Sequence, residues 1–156
     1  MADPTTPGRI VRLATREDAL AIRRILDAAI LAYDDLDARI ESDGVLVATA
    51  DDGTITGSLV LDPDPSTAVT GWDDLDTLVG ESAAESGADG AHIDAVAVRQ
   101  RRRDRGIGRA LVERALEREG WLTAHFDASV RPFYDALGFE VRALEADRFA
   151  GVGRQR

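Results

Sequence analysis

The chain has 156 residues, a formal net charge of -10, no cysteine and no lysine. That length forms one core of ordinary size and not two. The absence of cysteine removes disulfides, thiolate nucleophiles and cysteine metal sites, so catalysis through a covalent cysteine acyl-enzyme is excluded. All 19 basic residues are arginine, and aspartate outnumbers glutamate 20 to 9. A surface this acidic repels nucleic acid and anionic membrane, so neither is an expected partner. No apolar run approaches the roughly 20 residues of a membrane span, and MADPTTPGR lacks the regions of a signal peptide. The expectation is a cytoplasmic protein. The carboxylate density resembles that of halophile proteins, which stay hydrated in molar salt. A GC-rich genome, the alternative, accounts for arginine over lysine but not for this charge.

In chain order, residues 1–8 carry no apolar pattern and read as a flexible tail before one domain over 9–156. Residues 9–13 read as a first strand. Thr15-x-x-Asp18 offers an N-cap to a helix with apolar residues Leu20, Ile22, Ile25, Leu26, Ala29 and Ile30. A second short helix is expected from Tyr33 to about Ile40. Val45–Ala50 and Thr54–Leu61 flank Asp51-Asp52-Gly53, a hairpin signal. Residues 62–90 form an acidic insertion, with Trp72, Leu75, Leu78 and Val79 at the spacing of a short amphipathic helix. A segment of this length has either a functional role or no fixed structure. Ala91–Val98 reads as a strand covered on both faces. A helix over Gly108–Glu119 follows, with Leu111, Val112, Ala115 and Leu116 as its buried stripe and Gly120 as its stop. Strand Trp121–Phe126, helix Val130–Leu137 and strand Phe139–Leu144 come next, and residues 145–156 form a poor seventh strand.

The chemistry concentrates between Val96 and Leu111. A strand leads through an arginine-rich turn (Arg99, Arg101, Arg102, Arg103, Arg105) into a helix opened by Gly106-Ile107-Gly108. The first N–H groups of a helix lack intrahelical partners and carry the positive end of its dipole, so this grammar makes an anion site. The glycines allow close approach of backbone to ligand and a positive φ where the turn needs it.

Arg103-x-x-Gly106-x-Gly108 after Val96-Ala97-Val98 resembles the pyrophosphate loop of the GNAT superfamily of acyl-CoA-dependent N-acyltransferases. Pro132-Phe133-Tyr134-Asp135-Ala136-Leu137-Gly138-Phe139 resembles that superfamily's second signature, FYxxxGF. The resemblance implies a mixed, mostly antiparallel α/β sheet of six to seven strands, flanked by helices and splayed between its central strands. It implies acetyl-CoA as co-substrate, with no metal, and an amine as acceptor. The backbone of Val96, Ala97 and Val98 would face the pantetheine arm, and an N–H near Val98 would polarise the thioester carbonyl. The amides of Arg103, Asp104, Arg105, Gly106, Ile107, Gly108 and Arg109 would cradle the phosphates. Tyr134 stands at the family's position for the acid that protonates the departing thiolate, a task suited to a phenol that keeps its proton at neutral pH. The turn between the first two helices would border the acceptor, where Asp34, Asp35 and Asp37 either attract a cation or form a solvated surface. Residues 62–90 would form part of the acceptor site; the alternatives are a loop without a role and a homodimer contact. His92 and Asp94 share one face of their strand, and His92 is a weak candidate for the base.

Other readings carry less. Leu111 occupies the place of the third glycine in a dinucleotide fingerprint, so that pattern is incomplete. The arginine run could be a nucleic-acid patch or a solvated loop, but a basic turn that ends in a glycine-opened helix is better explained by a phosphate. Tyr134 could be a core aromatic beside Phe133. The departures from the family pattern are Gln100 for a common proline, Asp104 for a common glycine and Asp127 for a common asparagine. The competing functional class is a domain that senses acyl-CoA without turning it over.

Overall fold

The computed structural model describes residues 10–28, 35–63, 90–99, 106–144 and 147–154. Its strands are β1 (Ile10–Leu13), β2 (Val45–Thr49), β3 (Ile55–Asp62), β4 (Ala91–Val98), β5 (Trp121–Asp127), β6 (Glu140–Ala143) and β7 (Arg148–Arg154). The helices are α1 (Ala19–Ala28), α2 (Leu36–Glu41), α3 (Ile107–Glu119) and α4 (Arg131–Ala136), with 3-10 turns at Arg16–Asp18 and Ala128–Val130. The strands form a seven-stranded sheet in the order β1-β2-β3-β4-β5-β7-β6. β4 and β5 pair in parallel, and the other described ladders are antiparallel. The tail at 1–8, most of the 62–90 insertion with its proposed helix, and Asp34 lie outside the described residues.

The chain forms two compact units. One holds the described residues up to Val60 together with Ala95–Val112. Its core is built by Ile22, Ile25 and Leu26 of α1, Leu36 and Ile40 of α2, and Val45, Val47 and Val60 of the β2–β3 hairpin. Leu20, expected on the buried stripe, is 59% exposed. At 3.6 residues per turn it points about 200° away from Ile22, so the true stripe runs Ala19, Ile22, Ile25 and Leu26. The hairpin closes as expected, with Gly53 N–H donating to Ala50 O (2.9 Å) and Thr54 N–H to the Asp52 carboxylate (2.9 Å). Thr56 and Ser58 point their hydroxyls into the core, where they donate to Ala48 O (3.2 Å) and Leu46 O (3.0 Å) of β2. Buried polar groups are thereby satisfied within the hairpin itself.

The other unit holds Leu61–Asp94 and Glu113 onward, again among the described residues. Here the seventh strand departs from expectation. It runs seven residues and lies between β5 and β6, pairing with both, so β6 is the edge strand. The pattern Ala150-Gly151-Val152-Gly153 lacks bulk because aromatic rings from elsewhere cover it. A Cβ on Gly153 would stand 2.2 Å from the Phe139 ring, and one on Gly151 would stand 3.2 Å from Phe126. The small residues that weaken the strand signal are what let these rings lie flat on the strand.

The start of α1 depends on Asp18, which is 8% exposed. Its carboxylate accepts from the Thr15 N–H (2.8 Å) and from both Arg12 Nη groups (2.8 and 3.1 Å). It thereby satisfies an orphan donor at the helix entry and ties β1 to α1. The Arg12 hydrogen bonds hold the Asp18 carboxyl below the usual carboxylate range against the opposing effect of burial. A depressed folded value means that the contribution is present above the unfolded value of about 4 and is lost as pH falls through the folded one. Asp18→Ala should lower the unfolding free energy by about 1–2 kcal/mol at pH 7. Urea titrations below pH 4 should show that difference shrinking.

Candidate active site

The glycine turn has the conformation that an anion site needs. Gly106 is exposed, with φ +74, a region that disfavours any residue with a Cβ. α3 begins at the next residue. Its ladder opens with Ala110 N–H donating to Gly106 O (3.0 Å), so the amides of Ile107 and Gly108 precede the helical hydrogen bonds. No acidic residue stands in the first turn to compete for them. Ile107, whose amide is expected at the phosphates, is 6% exposed and anchors the turn in the core. The stripe expected on α3 is as read: Leu111, Val112 and Ala115 are fully buried and Leu116 is 8% exposed. Arg109 is exposed on the first turn. Arg103, Asp104 and Arg105 lie outside the described residues.

Gly57, which the sequence reading did not single out, seats this turn. A Cβ there would stand 3.0 Å from Ala97 O, 3.1 Å from Ile107 Cγ2 and 3.3 Å from Leu111 Cδ1. The missing side chain lets β3, the end of β4 and the first turn of α3 close on one another. A glycine within an apolar strand is the signal that marks such an approach. The two preceding residues of β3 hold the other end of the loop. Arg99 N–H donates to Thr56 O (2.8 Å), and its Nε donates to Ile55 O (2.7 Å). The first arginine of the run is therefore tied to the sheet.

Val96 and Val98 are half-buried and Ala97 is buried. The described β4–β5 ladder pairs Ala91, His92 and Ile93 with Leu122, Thr123 and Ala124, and the backbone of Val96–Val98 stands beyond it.

Tyr134 sits on α4 with 3% of its surface accessible. Its ring stacks on Phe126 (centroids 4.3 Å apart) and meets Phe133 and Phe139 at 5.1 Å each. The core role weighed in the sequence is therefore real. Burial pushes the phenol well above its ordinary value, which fixes it in the protonated form. Asp127, one of the departures from the family pattern, caps the 3-10 turn before α4. It accepts from the Ser129 hydroxyl and the Ser129 N–H, and these bonds hold its carboxyl below the usual range.

His92 is 5% exposed, and its Nδ1 lies 2.8 Å from Thr123 Oγ1. Its ring meets that of His125 edge to face, with centroids 5.3 Å apart. Asp94 is half-buried two residues along the same face of β4. Thr123 and His125 are residues that sequence reasoning missed; their one signal was polar spacing at period two on an otherwise apolar strand. Of the acidic residues near α2, Asp37 pairs with Arg23 (3.2 Å) and Asp35 adopts φ +46 as the residue before the helix.

Among solved structures, the N-acetylglutamate synthase of Neisseria gonorrhoeae, complexed with coenzyme A and L-arginine, is similar with a TM-score of 0.67 at 17% identity. The match covers 96% of this chain and 34% of that one, so the chain spans about a third of that enzyme's length. GNAT-family acetyltransferases of Bacillus cereus (TM-score 0.67, 15% identity, 95% and 98% of the two chains) and Listeria monocytogenes (0.65, 13%, 98% of each) match over nearly their whole length. At these identities the likeness is one of fold. No curated protein matches. Residues 41–141, well over half of the 156, match the acetyltransferase (GNAT) domain family, and the chain belongs to that family.

Proposed function

We propose that this chain is an N-acetyltransferase that moves an acetyl group from acetyl-CoA to an amine by direct attack. The observation that carries this reading is the glycine turn at the start of α3, open to solvent, without a first-turn carboxylate and seated on Gly57. Acetyl-CoA would supply the acetyl thioester. The amides of Ile107 and Gly108, with their neighbours from Arg103 to Arg109, would hold its diphosphate, and the backbone of Val96–Val98 would receive its arm. A fixed N–H near Val98 would stabilise charge developing on the carbonyl oxygen. The acceptor nitrogen bonds to the acetyl carbon as the carbon–sulfur bond breaks; the nitrogen loses a proton and the sulfur gains one. We assign the second proton to Tyr134, whose burial keeps it protonated. We assign the first to His92, fixed on β4 by its contact with Thr123.

The cytoplasm, a salt-rich cell and the absence of nucleic-acid or membrane partners belong to the same reading, supported by the charge of -10. The acceptor role of residues 62–90, and their alternative as a homodimer contact, fall on residues that are almost all outside those described.

The test is thiol release from acetyl-CoA across an amine library in molar KCl. Turnover with one class of amine is expected; tight acetyl-CoA binding without thiol release from any amine would favour the sensor instead. With that amine, Tyr134→Phe should lower kcat by roughly 10²-fold or more with CoA affinity held, as for loss of a general acid. The raised phenol adds a sign: kcat should show no alkaline loss from this group below about pH 10, the ordinary phenol value. A tyrosine that only packs would leave kcat unchanged on substitution by phenylalanine. Gly57→Val would push on Ile107 and Leu111 and tilt the first turn of α3. Calorimetry should show CoA affinity falling about tenfold, the equivalent of about 1.4 kcal/mol, with the circular dichroism retained. Finally, repulsion among carboxylates is screened at molar salt, where the Debye length is about 3 Å, so the Tm should climb with KCl. A flat curve would favour a GC-rich genome as the source of the composition.

A further inference from the structure

The ladder between β2 and β3 skips at one point. Ala48 faces Gly57 and Thr49 faces Ile55, so β3 advances two residues where β2 advances one, and Thr56 is the extra residue. Neighbouring peptides of a regular strand turn their carbonyls to opposite sides, and a bulge breaks that alternation. Ile55 O and Thr56 O accordingly both face the end of β4, and Arg99 takes both: its main-chain N–H donates to Thr56 O (2.8 Å) and its Nε to Ile55 O (2.7 Å). A main-chain bond alone would continue the ladder. The second bond fixes a side chain, and re-aiming a side chain is what bulges beside sites do. The guanidinium is planar, so an Nε held on a carbonyl sets the direction of the whole group. Arg99 is exposed, and its two Nη groups make neither a hydrogen bond nor an ion pair among the described residues. Arg12, Arg16, Arg23, Arg114 and Arg131 each pair with a carboxylate. In a chain of charge -10, Arg99 is by contrast a cation held in place and kept open.

We propose that Arg99 is a phosphate-binding residue for acyl-CoA, aimed by the bulge of β3. The inference rests on the acetyl-transfer reading for the identity of the ligand. The helix end at Ile107 and Gly108 supplies about half a positive charge, less than a diphosphate carries, so further charge has to come from side chains. Ile107 is seated on Gly57, two residues along β3 from the carbonyl that holds the Arg99 Nε, a separation of about 7 Å along a strand. The paired Nη groups present two parallel donors to the oxygens of one phosphate, a match that a single ammonium does not make. Because Nε is bound before the ligand arrives, little side-chain freedom is lost on binding. The ligand chemistry is a phosphate ester, which CoA carries both in its diphosphate and on its ribose.

The experiment is calorimetry of CoA and of dephospho-CoA with the full chain and its Arg99→Gln and Arg99→Lys variants. Arg99→Gln should weaken CoA binding about tenfold, the scale of a hydrogen bond to a charged group, with the circular dichroism retained. Arg99→Lys keeps the charge without the Nε bond and should fall between Arg99→Gln and the unmodified chain. Equal weakening of CoA and dephospho-CoA in Arg99→Gln assigns the guanidinium to the diphosphate; weakening of CoA alone assigns it to the ribose phosphate. An Arg99→Gln variant that binds both ligands as the unmodified chain does overturns the proposal. So does an Arg99→Lys variant equal to the unmodified chain, since an unaimed point charge would then suffice. An Arg99→Lys variant as weak as Arg99→Gln overturns it too, because Arg99 would then only hold the loop. An unmodified chain that binds no CoA removes both the acetyl-transfer reading and this inference, whereas unchanged affinity in Arg99→Gln removes the inference without touching thiol release.

Discussion

A missing side chain in the middle of β3 fixes the geometry on which the proposed anion site depends. Three neighbours from β4 and α3 stand within 3.3 Å of where a Gly57 Cβ would be, so the first turn of α3 has one seat and little room to slide. Ile55 and Thr56 grip Arg99 through their carbonyls just before Gly57 admits Ile107. Three consecutive residues of one strand thus hold both ends of the arginine loop. A helix N-terminus binds an anion well only when its amides are fixed in direction before the ligand arrives, because ordering them on binding would cost affinity. The tight contact supplies that order from within the core.

β5 serves two different chemistries by alternation. Phe126 turns to one side and stacks on Tyr134, while Thr123 and His125 turn to the other and meet His92. The aromatic side is dry and keeps a phenol protonated, whereas the opposite side brings two imidazoles and a hydroxyl together. The same two-residue period that builds the sheet thereby puts the phenol and the imidazoles on opposite sides of β5.

Much of this was legible in the sequence, for physical reasons. β4 matches its expected bounds because eight residues of continuous strand pattern end at an arginine turn, and the α3 stripe matches because four apolar residues at helical spacing leave one buried face. Leu20 was misread because an apolar residue counts toward a pattern whatever its angle. β7 was underrated because its bulk is supplied by Phe126 and Phe139 from other elements. The pairing of His92 with Thr123 was out of reach, since a register between parallel strands joined through a helix leaves no local trace. The glycine signature and Tyr134 were visible as letters; the support from Gly57 was not. The composition has its own consequence for the proposed reaction. With no lysine, the chain offers no ε-amine for acetyl thioesters to modify.

The place of β7 also governs the order in which this protein can fold. β6 is made first but has β7 as its neighbour in the sheet, and β7 must also reach β5 across the whole of α4. Until Arg148–Arg154 have been synthesised, β6 has no partner strand and the open side of β5 presents unpaired amides and carbonyls. This half of the sheet therefore closes late, through contacts between residues distant in sequence, while the β2–β3 hairpin can form from neighbours alone. A nascent chain paused before β7 would expose that strand edge, and the pause is the point at which it would be most prone to pair with another molecule.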